Sequence, residues 1–353
     1  MVRHYDWSPV FSRQTGHDGE ICAVIGGKGI GKTFGLRKQL IQWFIDGKRG
    51  RFVEFSRSMA ERDSVANGYF DKLQELDTFP GYIFHTDSEH GYVAKSVPDG
   101  VKPSWEICMY FAALSKFQIE KRRTFSNVGD FVFDEFIIDS KDRYHHYLPD
   151  EFSILANLMD SISREQPGDE TMHRLYMMAN ACDLSCPHMR ALGINKLPEY
   201  GYSFHRGKMV LLHYVEPWDA DERKAGTLVG RMLEGSEESK MVFDNLFDTS
   251  NADEIAKRPH NAKYAWGFIF KKMQFSIWAD YSNGLFYVDE GIPRGSKAFA
   301  LTRKDSSLDY NAIRQNDDLL KLLSNLFYAG MLRYTSFAVR ESLHDVLAWL
   351  GIR

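Results

Sequence analysis

Residues 20–33 read Glu-Ile-Cys-Ala-Val-Ile-Gly-Gly-Lys-Gly-Ile-Gly-Lys-Thr, an apolar run that breaks into glycines and closes on Gly31-Lys32-Thr33. Gly26, four further residues, then Gly31, Lys32 and Thr33 fit the spacing G-x-x-x-x-G-K-[ST], whose glycines let backbone N–H groups close around phosphate oxygens. The spacing assigns Gly26, Gly27, Lys28, Gly29, Ile30, Gly31, Lys32 and Thr33 to a nucleotide-binding loop. Lys32 then reaches the β- and γ-phosphates and Thr33 holds a metal, so ATP and Mg²⁺ are the expected cofactors. Ile21 to Ile25 reads as a buried strand feeding the loop. A helix from about Lys32 to Ile45, with Phe34, Leu36, Leu40, Ile41, Phe44 and Ile45 on its apolar face, aims the positive end of its dipole at the same anion.

About 100 residues later, Asn127-Val-Gly-Asp-Phe-Val-Phe-Asp-Glu135 is an apolar strand ending in two acids. In P-loop ATPases an Asp at such a strand end supports the metal, which assigns that role to Asp134. The Glu directly after it can polarise the attacking water, which assigns the base role to Glu135. His173 to Asn180 reads as another buried strand closing on a polar residue, the usual place of a γ-phosphate sensor.

Between these anchors, Arg51 to Phe55 reads as a strand ending at Ser56-Arg57, followed by a helix through Phe70, Leu73 and Leu76. Residues 80–112 alternate apolar runs with Gly and Pro, as small antiparallel strands added to the main sheet do. Asp139 to Tyr147 is a polar loop. Pro149 then opens a helix to about Ser163 with Ile154, Leu155, Leu158, Met159 and Ile162 inward and Arg164 at its far end. Strands alternating with helices around a P-loop indicate a mainly parallel sheet covered on both faces.

The 353-residue chain is 44% hydrophobic and 14% aromatic, enough for one large or two ordinary cores. Nothing approaches the roughly 20 uninterrupted apolar residues of a membrane span, and the first residues are not those of a signal peptide, so a cytoplasm is expected. Four cysteines in such a length make no disulfide framework. Cys182-x-x-x-Cys186 with His188 nearby lacks a second ligand cluster at zinc-site spacing and reads as thiols. The net charge of −4 argues against a generally basic nucleic-acid binder, so any DNA contact must come from local clusters.

Residues 201–250 read as a connector that contains one strand, Lys208 to Val215. Three further strands follow, Tyr264 to Phe270, Phe275 to Asp280 and Gly284 to Asp289, with a hairpin-type turn at Ser282-Asn283-Gly284. Helices at about 309–328 and 337–350 complete a small α/β domain. Residues 1–19 are polar and aromatic with little periodicity, and are expected beside the nucleotide base.

Val24 to Thr33, Phe131 to Ile137 and the Tyr147-Leu-Pro-Asp-Glu151 helix start through Asp160 resemble the DNA encapsidation protein of small podophages with protein-primed linear genomes, as do Leu228 to Glu237 and Phe243 to Phe247. The resemblance runs from about residue 20 to the C-terminus. It implies an ASCE-type P-loop ATPase domain over 1–205, a linker domain over 206–255 and, over 256–353, a C-terminal domain resembling a vestigial ribonuclease-H nuclease. It also implies a ring ATPase, a pentamer in this family, that drives double-stranded viral DNA through the prohead portal, with a scaffold RNA as a further partner and the host cytoplasm as its location. Arg164 falls at the position of the family's arginine finger, and Lys121, in Gln118-Ile-Glu-Lys121, at that of a lysine reaching a neighbouring subunit's nucleotide. Glu165 to Glu170 is longer and more acidic than the family's arginine-rich stretch, and the loop after Glu135 is also longer.

Charge alone leaves alternatives beside these roles. Arg164 is equally an ordinary helix-terminal arginine, and Lys121-Arg122-Arg123 a solvated run. Lys141 and Arg143 read either as phosphate contacts in a central pore or as loop solubility. A ribonuclease-H-type nuclease needs several carboxylates converging on two metals, and beyond Asp280 and Asp289 the helices offer no compelling set. Other P-loop classes are a helicase, a small-molecule kinase or a nucleotide-gated scaffold. The Asp134-Glu135 pair favours water as nucleophile over a kinase, and a scaffold has little need of Glu135.

Overall fold

The structure, a computed structural model, describes residues 4–138, 147–164, 173–181, 186–194, 199–217, 225–236, 239, 254–314 and 317–351. The chain divides into two compact units, one over residues 1–183 with 191–193 and 198–247, the other over 184–190, 194–197 and 248–353.

The strands of the first unit are β1 (Ile21–Ile25), β2 (Arg51–Ser56), β3 (Tyr82–Thr86), β4 (His90–Lys95), β5 (Glu106–Ala113), β6 (Val128–Phe133), β7 (Arg174–Ala179), β8 (Gly201–His205) and β9 (Val210–Tyr214). They form one sheet in the order β3-β4-β5-β2-β6-β7-β1-β9-β8. From β5 to β9 all neighbours are parallel, with the antiparallel β3–β4 hairpin on one edge and β8 on the other. All of β6 is buried, as a strand covered on both faces must be.

The helices of the first unit are α1 (Ser8–Arg13), α2 (Lys32–Ile45), α3 (Met59–Ala66), α4 (Asp71–Glu75), α5 (Phe117–Glu120), α6 (Glu151–Arg164) and α8 (Leu228–Met232), whereas α7 (Pro187–Ala191) belongs to the second unit except for Ala191. Leu36, Leu40 and Ile41 of α2 share a core with Val24, Val132, Tyr176 and Leu211 from four neighbouring strands. Burying a side chain of this size contributes roughly 1.5–3 kcal/mol, so this face fixes where α2 starts over the loop.

Two expectations are corrected here. The single helix through Phe70, Leu73 and Leu76 is two, α3 and α4. Gly68 turns with φ 78° between them, and Ser58 and Glu61 close a capping box at the start of α3. The linker domain expected over 206–255 takes in β9, which pairs in parallel with β1, Val24 opposite His213. A boundary at 205 would cut the β8–β9 hairpin, whose Val210, Leu211 and Leu212 are buried in the main sheet.

In the second unit β10 (Lys263–Phe270), β11 (Met273–Asp280) and β12 (Leu285–Glu290) form an antiparallel meander, and β13 (Ala298–Ala300), β14 (Asn311–Ala312) and β15 (Leu332–Tyr334) add in parallel. The order is β14-β13-β10-β11-β12-β15. Helices α9 (Asp318–Tyr328) and α10 (Phe337–Trp349) contribute Leu320, Leu323, Leu326, Leu343, Val346 and Leu347 to a core with Phe268, Phe275 and Ile277. The first helix was expected from Asp309. It starts at Asp318, because Asn311–Ala312 pairs with β13 and Asp317 caps the helix by accepting the Leu319 N–H. Among the described residues no helix is long and apolar enough to cross a membrane.

Candidate functional site

The glycine loop leaves the C-terminal end of β1 and enters α2, and two glycines show why the loop needs them. A Cβ at Gly26 would meet Ile30 Cδ1 at 2.8 Å. Gly31 has φ 80°, and a Cβ there would stand 2.5 Å from His4 Nδ1. Gly31 also N-caps α2 without a side-chain bond, so no side chain competes for the N–H groups of the first turn. Gly27 and Ile30 are buried, while Lys28 and Gly29 are exposed.

The buried Lys32 donates from Nζ to the carbonyls of Gly26 (2.8 Å) and Gly27 (2.9 Å) and to Asn180 Oδ1 (3.2 Å) at the end of β7. Thr33 Oγ1 donates to Asp134 Oδ2 at 2.6 Å, joining the start of α2 to the end of β6. These residues fit the expected groups. A lysine and helix-terminal N–H groups suit phosphate oxygens, and a hydroxyl beside a carboxylate supplies the hard oxygen donors that Mg²⁺ selects. The expected nucleotide and metal residues thus meet at the C-terminal edge of the parallel strands, with Asn180 as the residue at the sensor position.

Glu135 lies just past β6 with φ 53°, its side chain exposed. A non-glycine residue in that region needs support from its surroundings. Arg57 supplies it: Nη1 donates to the Glu135 carbonyl at 2.8 Å and Nη2 to the Phe136 carbonyl at 3.0 Å. Arg57 Nε pairs with Glu151 Oε1 at 3.1 Å, both side chains buried, and the Tyr147 ring centroid stands 5.3 Å from the guanidinium carbon. Tyr147 Oη accepts the Ile138 N–H at 2.9 Å, and Glu151 Oε2 accepts the Leu148 N–H at 2.8 Å. The Tyr-x-Pro-x-Glu pattern therefore clamps the turn that carries Glu135. Arg57 was legible only as a residue ending a strand.

The N-terminal segment does more than the sequence suggested. Tyr5 N–H donates to the Ile30 carbonyl at 2.7 Å, Trp7 Nε1 donates to the Lys32 carbonyl at 2.9 Å, and the His4 ring lies 4.7 Å from Phe34. Tyr5 Oη also meets His213 Nδ1 at 2.5 Å, and His213 stacks on Tyr202 with centroids 3.9 Å apart. Burial, and then the charge of Arg13, lowers the His213 pKa to about 4. Burial likewise raises that of Tyr5, so the phenol donates to a neutral imidazole.

Lys121 and Arg164 stand apart from this cluster. Lys121 follows α5, beyond the end of β5, and β5 lies four strands from β1. At about 4.8 Å per strand that is roughly 19 Å. The buried Glu120 pins its segment by accepting from the Ala113 N–H at 3.1 Å and from Arg123 at 2.6 Å. Arg164 ends the 14-residue α6, roughly 20 Å from Glu151, and pairs with Asp160 at the surface. Lys141, Arg143, Cys182, Glu165 to Glu170 and Phe243 to Phe247 lie outside the described residues. Cys186 is a buried thiol, and no group of three metal-type ligands occurs among the described residues.

Comparison with known proteins agrees with this architecture. The DNA packaging protein of Bacillus phage phi29 is 28% identical over 334 residues, covering 94% of each chain. That of Bacillus phage B103 is 28% identical over 335 residues, covering 94% of this chain and 97% of its own. The bacteriophage Phi-29 viral genome packaging motor assembly contains a chain of the same fold, with a TM-score of 0.71 at 23% identity, covering 98% of this chain and 99% of that one. The family model of the podovirus DNA encapsidation protein (Gp16) matches residues 12–351, and with its phosphate loop, its Asp134-Glu135 strand end and its clamped turn the chain belongs to that family.

Proposed function

We infer that this chain is the ATP-hydrolysing motor that drives double-stranded viral DNA through a portal into a preformed capsid. One observation carries the enzymatic part: Thr33 meets Asp134 at 2.6 Å beside a lysine seated between the glycine loop and Asn180. Lys32 and the loop N–H groups bind the β- and γ-phosphates. Thr33 and Asp134 would hold Mg²⁺, which when bound neutralises phosphate charge. Glu135 orients water and takes its proton, on a turn that Arg57 keeps in place.

Because Lys121 and Arg164 sit far from their own P-loop, their role toward the γ-phosphate is in trans, within a homo-oligomeric ring whose head-to-tail contacts give every site one neighbour. The ring is a pentamer at the prohead portal in the host cytoplasm, with a scaffold RNA as a further partner. The ATPase domain extends through β9, with a linker domain after it and a ribonuclease-H-like domain at the C-terminus. That last domain lacks nuclease activity. Asp280 lies opposite Leu285 and Asp289 opposite Ser276, four residues apart along the ladder or roughly 13 Å, too far to converge on paired metals. Both carboxylates are also engaged, Asp280 by Asn283 Nδ2 at 2.8 Å and Asp289 by Thr335 Oγ1 at 2.8 Å.

ATP hydrolysis by the purified protein, measured with and without double-stranded DNA, tests the proposal. Stimulation by DNA that Lys32→Ala abolishes is the expected result. Turnover indifferent to DNA, with phosphate transferred to a small acceptor, would replace the motor with a kinase.

A further inference from the structure

We infer that Glu54, which lies in no nucleotide-binding motif, is a positioning residue for the metal site, drawing the Arg37 guanidinium away from Asp134 so that this carboxylate stays available to Mg²⁺. The inference rests on the assignment of Thr33 and Asp134 to the metal.

The placement follows from the two elements that carry the site. Arg37 stands four residues after Thr33 on α2, on the same helical face. Glu54 of β2 lies opposite Val132 of β6, and Val132 is two residues before Asp134. Side chains alternate along a strand, so Glu54 and Asp134 share one face of the sheet on neighbouring strands. The Arg37 side chain comes down onto that face. Its Nη2 donates to Glu54 Oε1 at 2.6 Å. Tyr69 holds the same carboxylate from the other side, its hydroxyl donating to Glu54 Oε2 at 2.5 Å, and its ring centroid is 3.9 Å from the guanidinium carbon. Glu54 and Tyr69 are buried.

Arg37 is held by this one carboxylate. Its Nε is buried with no hydrogen-bond acceptor. Burial alone would lower the Arg37 pKa, but Glu54, Tyr69 and, to a smaller extent, Asp134 raise it. Asp134 accepts the hydroxyl of Thr33, which stands one helical turn before Arg37, so it lies beside the turn of α2 that carries the guanidinium. With Glu54 neutral, Arg37 would keep its charge and Asp134 would be the remaining carboxylate acting on it. A cation held there competes directly with Mg²⁺, and at an effective dielectric near 20 one full charge within about 10 Å of a divalent ion weakens its binding by at least about tenfold.

The test follows a fluorescent ATP analogue binding to the full-length protein as Mg²⁺ is titrated, with Glu54→Gln, Arg37→Met and the double variant beside wild type. The expected results are a Mg²⁺ half-saturation at least about tenfold higher for Glu54→Gln, lower than wild type for Arg37→Met, and close to wild type for the double variant. A purely structural role would weaken binding in both single variants, so shifts in the same direction, or none, overturn the inference. Should Glu54→Gln not fold, Arg37→Met decides alone: an unchanged or raised half-saturation overturns it. A wild-type curve without Mg²⁺ dependence removes the metal assignment and the inference with it, whereas a Mg²⁺-dependent curve that no substitution moves removes the inference only.

Discussion

Arg57 donates to the main-chain carbonyl of Glu135 at 2.8 Å, so the residue assigned to activate water is held through its backbone while its side chain stays free. The same guanidinium pairs with the buried Glu151. Arg57→Ala should lower turnover with little change in ATP affinity, because the phosphate contacts lie elsewhere. It should also cost about 3–5 kcal/mol of stability by removing the cation of a buried ion pair. Denaturant unfolding checks the second part. Adding Glu151→Gln should recover much of the stability but not the turnover.

Glu135→Gln should retain ATP binding while hydrolysis falls by about 10²–10⁴, the usual range for a positioned general base. Lys32→Ala should weaken binding and turnover together. Equilibrium binding and steady-state hydrolysis on the same preparations separate the two, and near wild-type turnover of Glu135→Gln would remove it from the base role.

Arg164→Ala should assemble and bind ATP yet hydrolyse slowly, since a finger supplied in trans contributes a factor of about 10³–10⁵ in well-studied cases. Mixed with Glu135→Gln, it should regain activity at junctions pairing an intact Arg164 with an intact Glu135. Wild-type turnover by Arg164→Ala alone would end the finger role.

Plasmid incubated with the protein and Mg²⁺ or Mn²⁺ should stay supercoiled. Nicking that Asp280→Ala abolishes would show that the separated carboxylates are nonetheless catalytic.

His213 should make the first unit sensitive to acid. Its folded pKa of about 4 lies below the ordinary value near 6.5, so the unfolded chain takes up the proton first and stability falls as pH drops from about 6.5 toward 4. Between pH 7 and 4.5 wild type should lose about 2 kcal/mol more than His213→Gln, which can still accept from Tyr5. Parallel unfolding curves for the two proteins at both pH values would contradict this.

Local structure was legible in the order of residues. The bounds of β1 and α2 and the acidic end of β6 could all be read directly, because a phosphate loop needs glycines, a lysine and a hydroxyl at fixed spacing, and a buried strand needs an apolar run. Tertiary structure decided which distant residues meet. Parallel strands adjacent in space come from remote parts of the chain, so β9 beside β1, Arg57 on Glu151, Arg37 on Glu54 and Trp7 on the Lys32 carbonyl have no short-range signature. Arginines, glutamates and aromatics scattered through a sequence read as surface charge and core. Only closing the sheet turns them into the supports of the Glu135 turn and of the Thr33–Asp134 pair, since their pairing depends on strand order and register rather than on sequence spacing.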